Sequence, residues 1–402
     1  MTSLNISIST TAMPGVNATE SWNGTFNDTD GTVSGVPGFC NATPSADLYQ
    51  QALLIDKILT PVIYTLGFPG NIMSFLIWIR PKMRHSSGVY LAALALADFL
   101  FLLLHLNFEL VTNWDVNTLN FPVLCEGFTI IFLTFQYLAP LLVLAFTVER
   151  YISICHPFKR ERFCTTNRAK IVSLSLALGC LTTCGIQGYF WYFDETLGCG
   201  LRASVVHGGN ASLWSIWTWI TETLIFLVVP LSVLVFNILV IREARRLSAY
   251  EQTQLHGRSQ KTSATTIMLL VVSFYLIVTT LPVTVVYVSG VNFPEVTSCS
   301  DPAMPRYWRY RLVRTVVEEI GITHFALNFY IYLVTGKQFR TEFKTMFGWK
   351  PTKSNFEKER TDYTTLRTSF RNSLKKDTTV RVSSNGITTN GTLDVNGEET
   401  LL

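Results

Sequence analysis

Charged side chains are scarce in this chain: Asp, Glu, Lys and Arg supply 15% of its 402 residues, against about a quarter in an average soluble domain. Hydrophobic residues reach 48% and aromatic residues 13%. This composition excludes an ordinary water-soluble domain and indicates a membrane protein. The net charge of +4 would suggest a nucleic-acid partner in a soluble chain. Here the cations are segregated by loop, which indicates membrane orientation and no nucleic acid.

Catalytic and metal-binding motifs are absent as well. The sequence has no G-x-S-x-G, no H-E-x-x-H, no G-x-x-x-x-G-K-S/T and no pair of His ligands at helical spacing. No C-x₂-C pair faces a second such pair or a His pair, which argues against a structural zinc ion. We therefore predict that the protein is not an enzyme and carries no cofactor.

Seven apolar runs are long enough to cross a bilayer, which takes roughly 20 helical residues. They cover residues 55–79, 87–111, 123–154, 169–190, 214–241, 262–289 and 312–335. The predicted fold class is therefore an all-α membrane protein, with a seven-transmembrane helix bundle over 55–335. A short amphipathic helix should follow on the inner leaflet at 336–348, because aromatic and basic residues occupy its opposite faces.

Basic residues gather in alternate loops. The loops after the first, third, fifth and seventh spans are basic, whereas residues 107–124 hold no cation. Cytoplasmic loops carry an excess of Lys and Arg, so the N terminus should lie outside the plasma membrane. Loop 290–311 breaks this rule with Arg306, Arg309 and Arg311. These arginines either contact acidic groups of a ligand or pair with the protein's own acids.

The two ends of the chain are polar. Residues 1–54 contain no Lys or Arg and are predicted to form a glycosylated, disordered extracellular tail. Its sequons lie at Asn5, Asn17, Asn23, Asn27 and Asn41, and a further sequon lies at Asn210 in an outer loop. No apolar stretch follows Met1 closely, so the first span should act as the targeting signal. Residues 349–402 are rich in Ser and Thr and are predicted to form a disordered cytoplasmic tail open to phosphorylation.

Cysteine positions suggest disulfide bonds on the outer side. Four of the eight cysteines fall outside, at Cys40, Cys125, Cys199 and Cys299. Four cysteines allow three pairings, and the sequence alone does not choose between them. We favour Cys125–Cys199, which would tie the second outer loop to the third helix, and Cys40–Cys299, which would tie the tail to the last outer loop.

Several polar residues interrupt the apolar spans. Asn71, Asp98, His324 and Asn328 should lie at mid-depth. Because polar groups are costly there, we interpret them as a buried network that couples two states, with a candidate sodium ion at Asp98. The alternative is a static polar contact between helices.

Three carboxylates, Glu109, Glu222 and Glu318, fall near the outer ends of their spans. Together they would suit a cationic ligand such as an arginine-bearing peptide, through bidentate hydrogen bonds. The alternative is that each acid points at water. The candidate ligand-binding residues are Glu109, Phe132, Gln136, Trp219, Glu222, Tyr287, Arg314 and Glu318.

The third span ends in Glu149-Arg150-Tyr151, 25 residues after Cys125. About 1.5 Å per residue gives roughly 37 Å of helix, enough to put Cys125 and Arg150 near opposite faces of a membrane. Adjacent helical residues point in different directions, so Arg150 could choose between a local partner and a group on another helix. It could instead be only a topological anchor.

These motifs together resemble the rhodopsin-like (class A) G-protein-coupled receptors over about 50–347. The matching features are Gly70-Asn71, Leu94-Ala95-Leu96-Ala97-Asp98, Glu149-Arg150-Tyr151, Pro230, Pro282 and Asn328-Phe329-Tyr330-Ile331-Tyr332. The resemblance implies a heterotrimeric G protein as partner, with arrestin and a receptor kinase acting on the cytoplasmic tail. It also implies a G-protein switch made of Glu149, Arg150, Tyr151, Asn328 and Tyr332.

The chain departs from the family pattern at several positions. Phe329 replaces a proline, Thr280 stands where a tryptophan is usual, and Ile238 where a tyrosine is usual. Near the inner end of the sixth span stand Lys261 and Thr262, with no acid to hold Arg150. We therefore expect appreciable basal signalling.

The ligand class follows from the same comparison. Phe132 stands where amine receptors keep an aspartate, and Ile322 where opsins keep a lysine. The acids and the long tail are similar to peptide receptors, including the invertebrate group for FMRFamide-like amidated peptides. Two alternatives remain: a receptor for a small acid or lipid that uses the outer arginines and Arg314, and a transporter or channel, for which we find no internal repeat.

Overall fold

The computed structural model describes residues 44–114, 116, 118–119, 121–195, 198–254, 264–293 and 302–349. Several predictions fall outside these residues. They concern the Cys40–Cys299 disulfide, the five sequons of the N-terminal tail, Lys261 and Thr262, and the cytoplasmic tail from residue 350 onward. The side chain of Asn210 is also outside the description.

Helices dominate the described part of the chain. In chain order they are α1 Pro44–Trp78, α2 Ser86–Thr112, α3 Leu124–Cys155, α4 Pro157–Phe163, α5 Thr166–Cys184, α6 Gln187–Phe190, α7 Ala203–Val206, α8 Leu213–Thr223, α9 Val229–Gln254, α10 Ala264–Ser289, α11 Met304–Ala326, α12 Asn328–Thr335 and α13 Lys337–Met346. A π-helical turn, Leu224–Val228, joins α8 to α9 into one long rod. One hairpin, β1 Trp191–Asp194 with β2 Gly198–Leu201, follows α6.

Six helices in the described residues are long and apolar enough to cross a membrane. They are Gln50–Trp78, Ser86–Thr112, Leu124–Cys155, Thr166–Phe190, Leu213–Leu247 and Ile267–Ser289. The seventh member of the bundle is α11 with α12, which carries more charge and is interrupted only at Leu327. It packs against α1, α2 and α10. The predicted seven-helix bundle is therefore confirmed.

Two helices begin earlier than predicted. α1 starts at Pro44, within the segment predicted to be a disordered tail, and α11 starts at Met304, within the predicted loop 290–311. The physical reason is an apolar contact between these extensions. Met304 and Trp308 form a buried pair, against which Leu48 of α1 packs. Each extension thus buries apolar side chains against the other. A prediction of spans from hydropathy cannot detect such a contact between distant segments.

A disulfide bond joins Cys125 at the start of α3 to Cys199 on β2, with their Cα atoms 5.5 Å apart. This confirms the favoured pairing. The bond lies in a buried cluster with Phe190, Trp191 and Val205, so the hairpin is held against α3 by packing as well as by the covalent link. We call this end of the bundle the disulfide end, and the opposite end, where α3 reaches Arg150, the Arg150 end.

Close approach between helices depends on Gly67 of α1. A Cβ atom at this position would lie 2.5 Å from Leu102 Cδ1 of α2 and 3.0 Å from Ala326 Cβ of α11. Both neighbours are buried. Small residues at such crossings allow helices to pack tightly inside a membrane.

We expect Gly67→Val to lower the thermal unfolding midpoint of the detergent-purified protein, because overpacking a tight contact costs about 1–3 kcal/mol. Gly179→Val in α5 is the matched control, since no atom lies within 4 Å of the Cβ position there. Equal midpoints for the two variants would contradict the packing role of Gly67.

Candidate functional site

A cavity opens between α2, α3, α8, α10 and α11. Its lining includes five of the predicted ligand-binding residues: Gln136, Trp219, Glu222, Tyr287 and Glu318. The other three, Glu109, Phe132 and Arg314, are absent from this lining among the described residues. Of the three predicted carboxylates, Glu222 and Glu318 line this cavity and Glu109 on α2 does not, so a ligand site that uses all three stays a prediction.

Phe132 lies in an aromatic stack behind the cavity instead of in its wall. Its ring packs on Phe101, Phe108 and Phe128, with ring centroids 5.4, 5.8 and 5.7 Å away. Phe101 does line the cavity, so Phe132 supports a lining residue from behind. The side chain is 1% exposed, which suits a structural role better than direct ligand contact.

Glu318 is neutralised by its own helix. Arg314, one turn away, donates from Nε to Glu318 Oε1 at 2.9 Å. The Tyr287 hydroxyl of α10 also donates to Glu318 Oε1. Arg314 completes the triad by donating from Nη2 to the Tyr287 hydroxyl at 3.1 Å, with its guanidinium 4.5 Å from the ring centroid. A ligand cation would have to compete with Arg314 for this carboxylate.

Glu222 has no such cation. The Tyr137 hydroxyl of α3 donates to Glu222 Oε1 at 2.6 Å, and none of the described Lys, Arg or His side chains lies within ion-pair distance. Glu222 is therefore an acid in the cavity wall that lacks a basic partner among the described residues. Tyr137 was not predicted as a site residue, because its only signal in the sequence is one polar group inside an apolar span.

The middle of the bundle contains Thr280 where the family pattern has a tryptophan. Thr280 is 2% exposed and lines the cavity. His324 also lines it and extends to a second, smaller cavity bordered by Leu94 and Asn328. His324 is thus the one predicted network residue that borders both cavities.

The four predicted network residues do not form one continuous hydrogen-bonded group. Asn328 Nδ2 donates to Asp98 Oδ2 at 2.8 Å, which links α12 to α2. Asn71 Nδ2 instead donates to the carbonyl oxygen of Phe325 at 2.7 Å. His324 Nδ1 lies 2.5 Å from the carbonyl oxygen of Gly321. Backbone carbonyl oxygens therefore take the place of two of the expected side-chain partners, one on another helix for Asn71 and one in the same helix for His324.

The candidate sodium ion at Asp98 stays a prediction. Asp98 Oδ1 has no hydrogen-bond partner among the described residues and would face such an ion. No group of three His, Cys, Asp or Glu side chains in the described ranges could hold a metal ion. We therefore assign the candidate ion no role.

At the Arg150 end, Glu149 collects three donors on one oxygen. Oε1 accepts from Ser86 Oγ at 2.7 Å, from Ser87 Oγ at 3.2 Å and from Arg150 Nη2 at 3.3 Å. Arg150 therefore pairs with its sequence neighbour Glu149, although adjacent residues of a helix point in different directions. The two serines open α2 and were not identified from the sequence. Tyr151 packs its ring against Phe236 of α9, with centroids 5.3 Å apart.

His85, just before α2, joins this group as a neutral side chain. Burial, reinforced by the nearby Arg150 charge, lowers the pKa of His85 below its usual value of 6.5. Its Nδ1 accepts from the backbone N–H of Gly88 at 3.0 Å, which caps the helix. The neutral imidazole leaves Arg150 as the charge that faces Glu149.

Tyr332 of α12 is fully buried at the same end. Its ring packs on Trp78 and Phe339, with centroids 5.5 and 5.4 Å away. Glu342 of α13 pairs with Arg80 at 3.3 Å and Lys82 at 3.6 Å, so α13 is tied to the turn after α1.

The sequence of this chain is similar to those of several known proteins. Residues 70–320 match the family described as 7 transmembrane receptor (rhodopsin family). Growth hormone secretagogue receptor type 1 of Oryctolagus cuniculus is 26% identical over 318 residues, covering 76% of this chain and 84% of the relative. The thyrotropin-releasing hormone receptor of Mus musculus is 30% identical over 175 residues, 41% and 42% of the two chains. The FMRFamide receptor of Drosophila melanogaster is 23% identical over 327 residues, 75% and 56%.

The Arg314–Glu318 pair offers a test of the cavity geometry. We expect Arg314→Gln to lower the thermal midpoint, because it leaves Glu318 without its cation. The double variant Arg314→Gln/Glu318→Gln should recover part of the loss, with a coupling of about 1–2 kcal/mol for this partly exposed pair. Additive effects of the two substitutions would mean that the pair is not coupled. Arg309→Gln, an exposed neighbour on α11, serves as control.

Proposed function

Because the chain belongs to the rhodopsin family of seven-transmembrane receptors, we propose that it binds a peptide outside the cell and activates a heterotrimeric G protein inside. Members of this family are signalling receptors and not enzymes, which agrees with the absence of a catalytic motif in the sequence. The chain crosses the membrane several times. We propose below the class of the ligand, the orientation of the chain in the membrane and the path by which ligand binding affects the Arg150 end.

The observation that carries the peptide assignment is Glu222, a cavity carboxylate without a basic partner among the described residues. A guanidinium would satisfy it through charge-assisted hydrogen bonds. Relatives named for FMRFamide and for thyrotropin-releasing hormone support a peptide ligand. FMRFamide carries an arginine and an amide in its name, so an amidated peptide with an arginine is the ligand we favour.

A small acid or lipid is a weaker candidate. Two of the cations that it could use already have partners: Arg314 is bound to Glu318 and Tyr287, and Arg306 lies 5.0 Å from the centroid of the Phe293 ring. The lining of the cavity itself contains two acids, Glu222 and Glu318, and, among the described residues, no Lys or Arg.

We assign the disulfide end to the outside of the plasma membrane. Disulfide bonds form and persist in oxidising compartments, and the loops at the Arg150 end carry the excess of Lys and Arg expected of the cytoplasmic side. The N terminus is then extracellular. The tail over 349–402 would meet receptor kinase and arrestin, with phosphorylated Ser and Thr supplying the negative charge.

Transmission would be a population shift between two bundle states. The ligand changes the packing at Thr280 and His324, which border the cavity. His324 passes the change to the second cavity beside Asn328, whose bond to Asp98 ties α12 to α2. At the Arg150 end, the active state releases Arg150 from Glu149 toward the G protein.

A screen of amidated peptides against the expressed receptor, with several G-protein readouts, tests the function. Glu222→Gln should reduce the potency of an activating arginine peptide about tenfold or more, since a charged hydrogen bond is lost. For the same peptide with citrulline in place of arginine, the potency should differ much less between the wild-type receptor and Glu222→Gln. Glu195→Gln, exposed at the disulfide end, is the matched control. Unchanged potency in Glu222→Gln would refute the contact, and silence toward every peptide would refute the ligand class.

Basal signalling should rise in Glu149→Gln. The amide still accepts from Ser86 and Ser87 but no longer holds Arg150 by charge, and a loss of about 1 kcal/mol multiplies the active population about fivefold. The measurement is second messenger without added peptide, with Glu161→Gln in α4 as control. The wild-type receptor itself should signal above mock-transfected cells, and a background level in both proteins would contradict the assignment.

A further inference from the structure

Two polar atoms in the lining of the cavity have no partner. Among the described residues that line it, the buried side-chain atoms without a hydrogen bond are Thr280 Oγ1 on α10 and His324 Nε2 on α11. The two side chains are 2% and 7% exposed. A buried polar atom without a partner costs free energy, so both atoms call for a partner that the described residues do not supply.

Both residues lie deep in the cavity. Thr280 precedes Tyr287 by seven residues on α10, and His324 follows Glu318 by six residues on α11. At about 1.5 Å of rise per residue, both lie roughly 9–10 Å from the contact between Tyr287 and Glu318, toward the Arg150 end. We call the part of the cavity that Thr280 and His324 border the cavity floor.

The side chain at position 280 leaves this floor open. The family pattern has a tryptophan there, whose indole would fill space that threonine leaves free. Phe101, Ile322 and Phe325 add apolar walls to the cavity. Its free volume of about 110 Å³ exceeds the roughly 10–15 Å³ that one water molecule needs. A ligand group larger than water can therefore enter, and it can do so because this chain departs from its family at Thr280.

The chemistry of the two atoms restricts that group. His324 Nδ1 lies 2.5 Å from the carbonyl oxygen of Gly321, which can only accept, so Nδ1 carries a proton. Among the described residues, no acid lies within ion-pair distance of the ring. A charged imidazole would be costly at this depth, so the ring is neutral and Nε2 is an acceptor. The Thr280 hydroxyl can donate or accept.

Other polar groups of the cavity are already engaged. Thr284 Oγ1 donates to the carbonyl oxygen of Phe226 at 2.8 Å, Glu222 accepts from Tyr137, and Glu318 is paired with Arg314. A carboxylate on a ligand would meet these two acids, and it has no proton to donate to His324. The cavity floor therefore suits a neutral group that donates one hydrogen bond and accepts another.

We propose that the cavity floor binds a primary carboxamide. The amide N–H donates to His324 Nε2, and the amide carbonyl oxygen accepts from the Thr280 hydroxyl. Thr280 and His324 then distinguish a peptide with an amidated end from the same peptide with a free carboxylate. The subsite rests on the proposed peptide function only in that the carboxamide belongs to the ligand.

The test uses small probes and no peptide, so its outcome does not depend on whether a peptide activates the receptor. Thermal unfolding of the purified full-length protein is followed with phenylacetamide, methyl phenylacetate or phenylacetate at millimolar concentration. Phenylacetamide should raise the midpoint saturably, by about 2 °C or more. The ester has no donor for His324 and should raise it less, and the anion should leave it unchanged.

Variants locate the probe. Thr280→Val keeps the shape of the side chain without its hydroxyl and should weaken the rise. His324→Leu removes the acceptor and should abolish it. Thr280→Trp restores the family's residue, fills the floor and should also abolish it, while its own midpoint without probe reports whether it folds.

Glu222→Gln is the matched control within the cavity. It should keep the rise, because phenylacetamide carries no cation, so loss of the arginine contact and loss of the carboxamide subsite are told apart. Equal rises with all three probes, an unchanged rise in His324→Leu or in Thr280→Trp, or no rise in the wild type would overturn the proposal.

Discussion

Every polar group buried between helices in a membrane must find its partner inside the protein, because lipid supplies none. This constraint explains which helices of the bundle are tied together. Asp98 and Asn328 join α2 to α12, Asn71 joins α1 to the backbone at Phe325, and Thr147 and Ser273 lie 3.2 Å apart between α3 and α10. Each bond crosses a helix boundary, so the same contacts that satisfy these side chains also set the register of the helices.

The two ends of the bundle treat charge in different ways. At the Arg150 end, Glu149 is held by two serines and an arginine, and Glu342 by Arg80 and Lys82, so both of these acids are paired with cations. At the disulfide end, Glu318 has its cation, while Glu222 has none among the described residues. An unbalanced acid inside a bundle raises the free energy of the unliganded state, which a cationic ligand can lower.

Two interruptions of regular α-helix occur within the bundle. The seventh helix is interrupted at Leu327, directly before Asn328, and α8 passes into α9 through a π-helical turn. Such interruptions often mark functional positions. Thr280 fills less space than the tryptophan of the family pattern, and His324 spans the two cavities. A change in the cavity can therefore reach Asn328 through one side chain.

The sequence by itself determined the seven-helix fold, through hydropathy and loop charge. It also favoured the pairing of Cys125 with Cys199, and motif spacing placed Arg150 at one end of the bundle. These features follow from local rules of length, polarity and helical rise. Tertiary structure alone decided the rest. Glu109, Glu222 and Glu318 look equivalent in the sequence. In the structure, Glu109 is absent from the cavity lining and accepts a hydrogen bond from Asn113, Glu222 lines the cavity with Tyr137 as its partner, and Glu318 lines it paired with Arg314. The rotation of each helix about its own axis makes this difference. It is set by contacts such as Gly67 against Ala326, between residues far apart in the chain, and no local pattern encodes it.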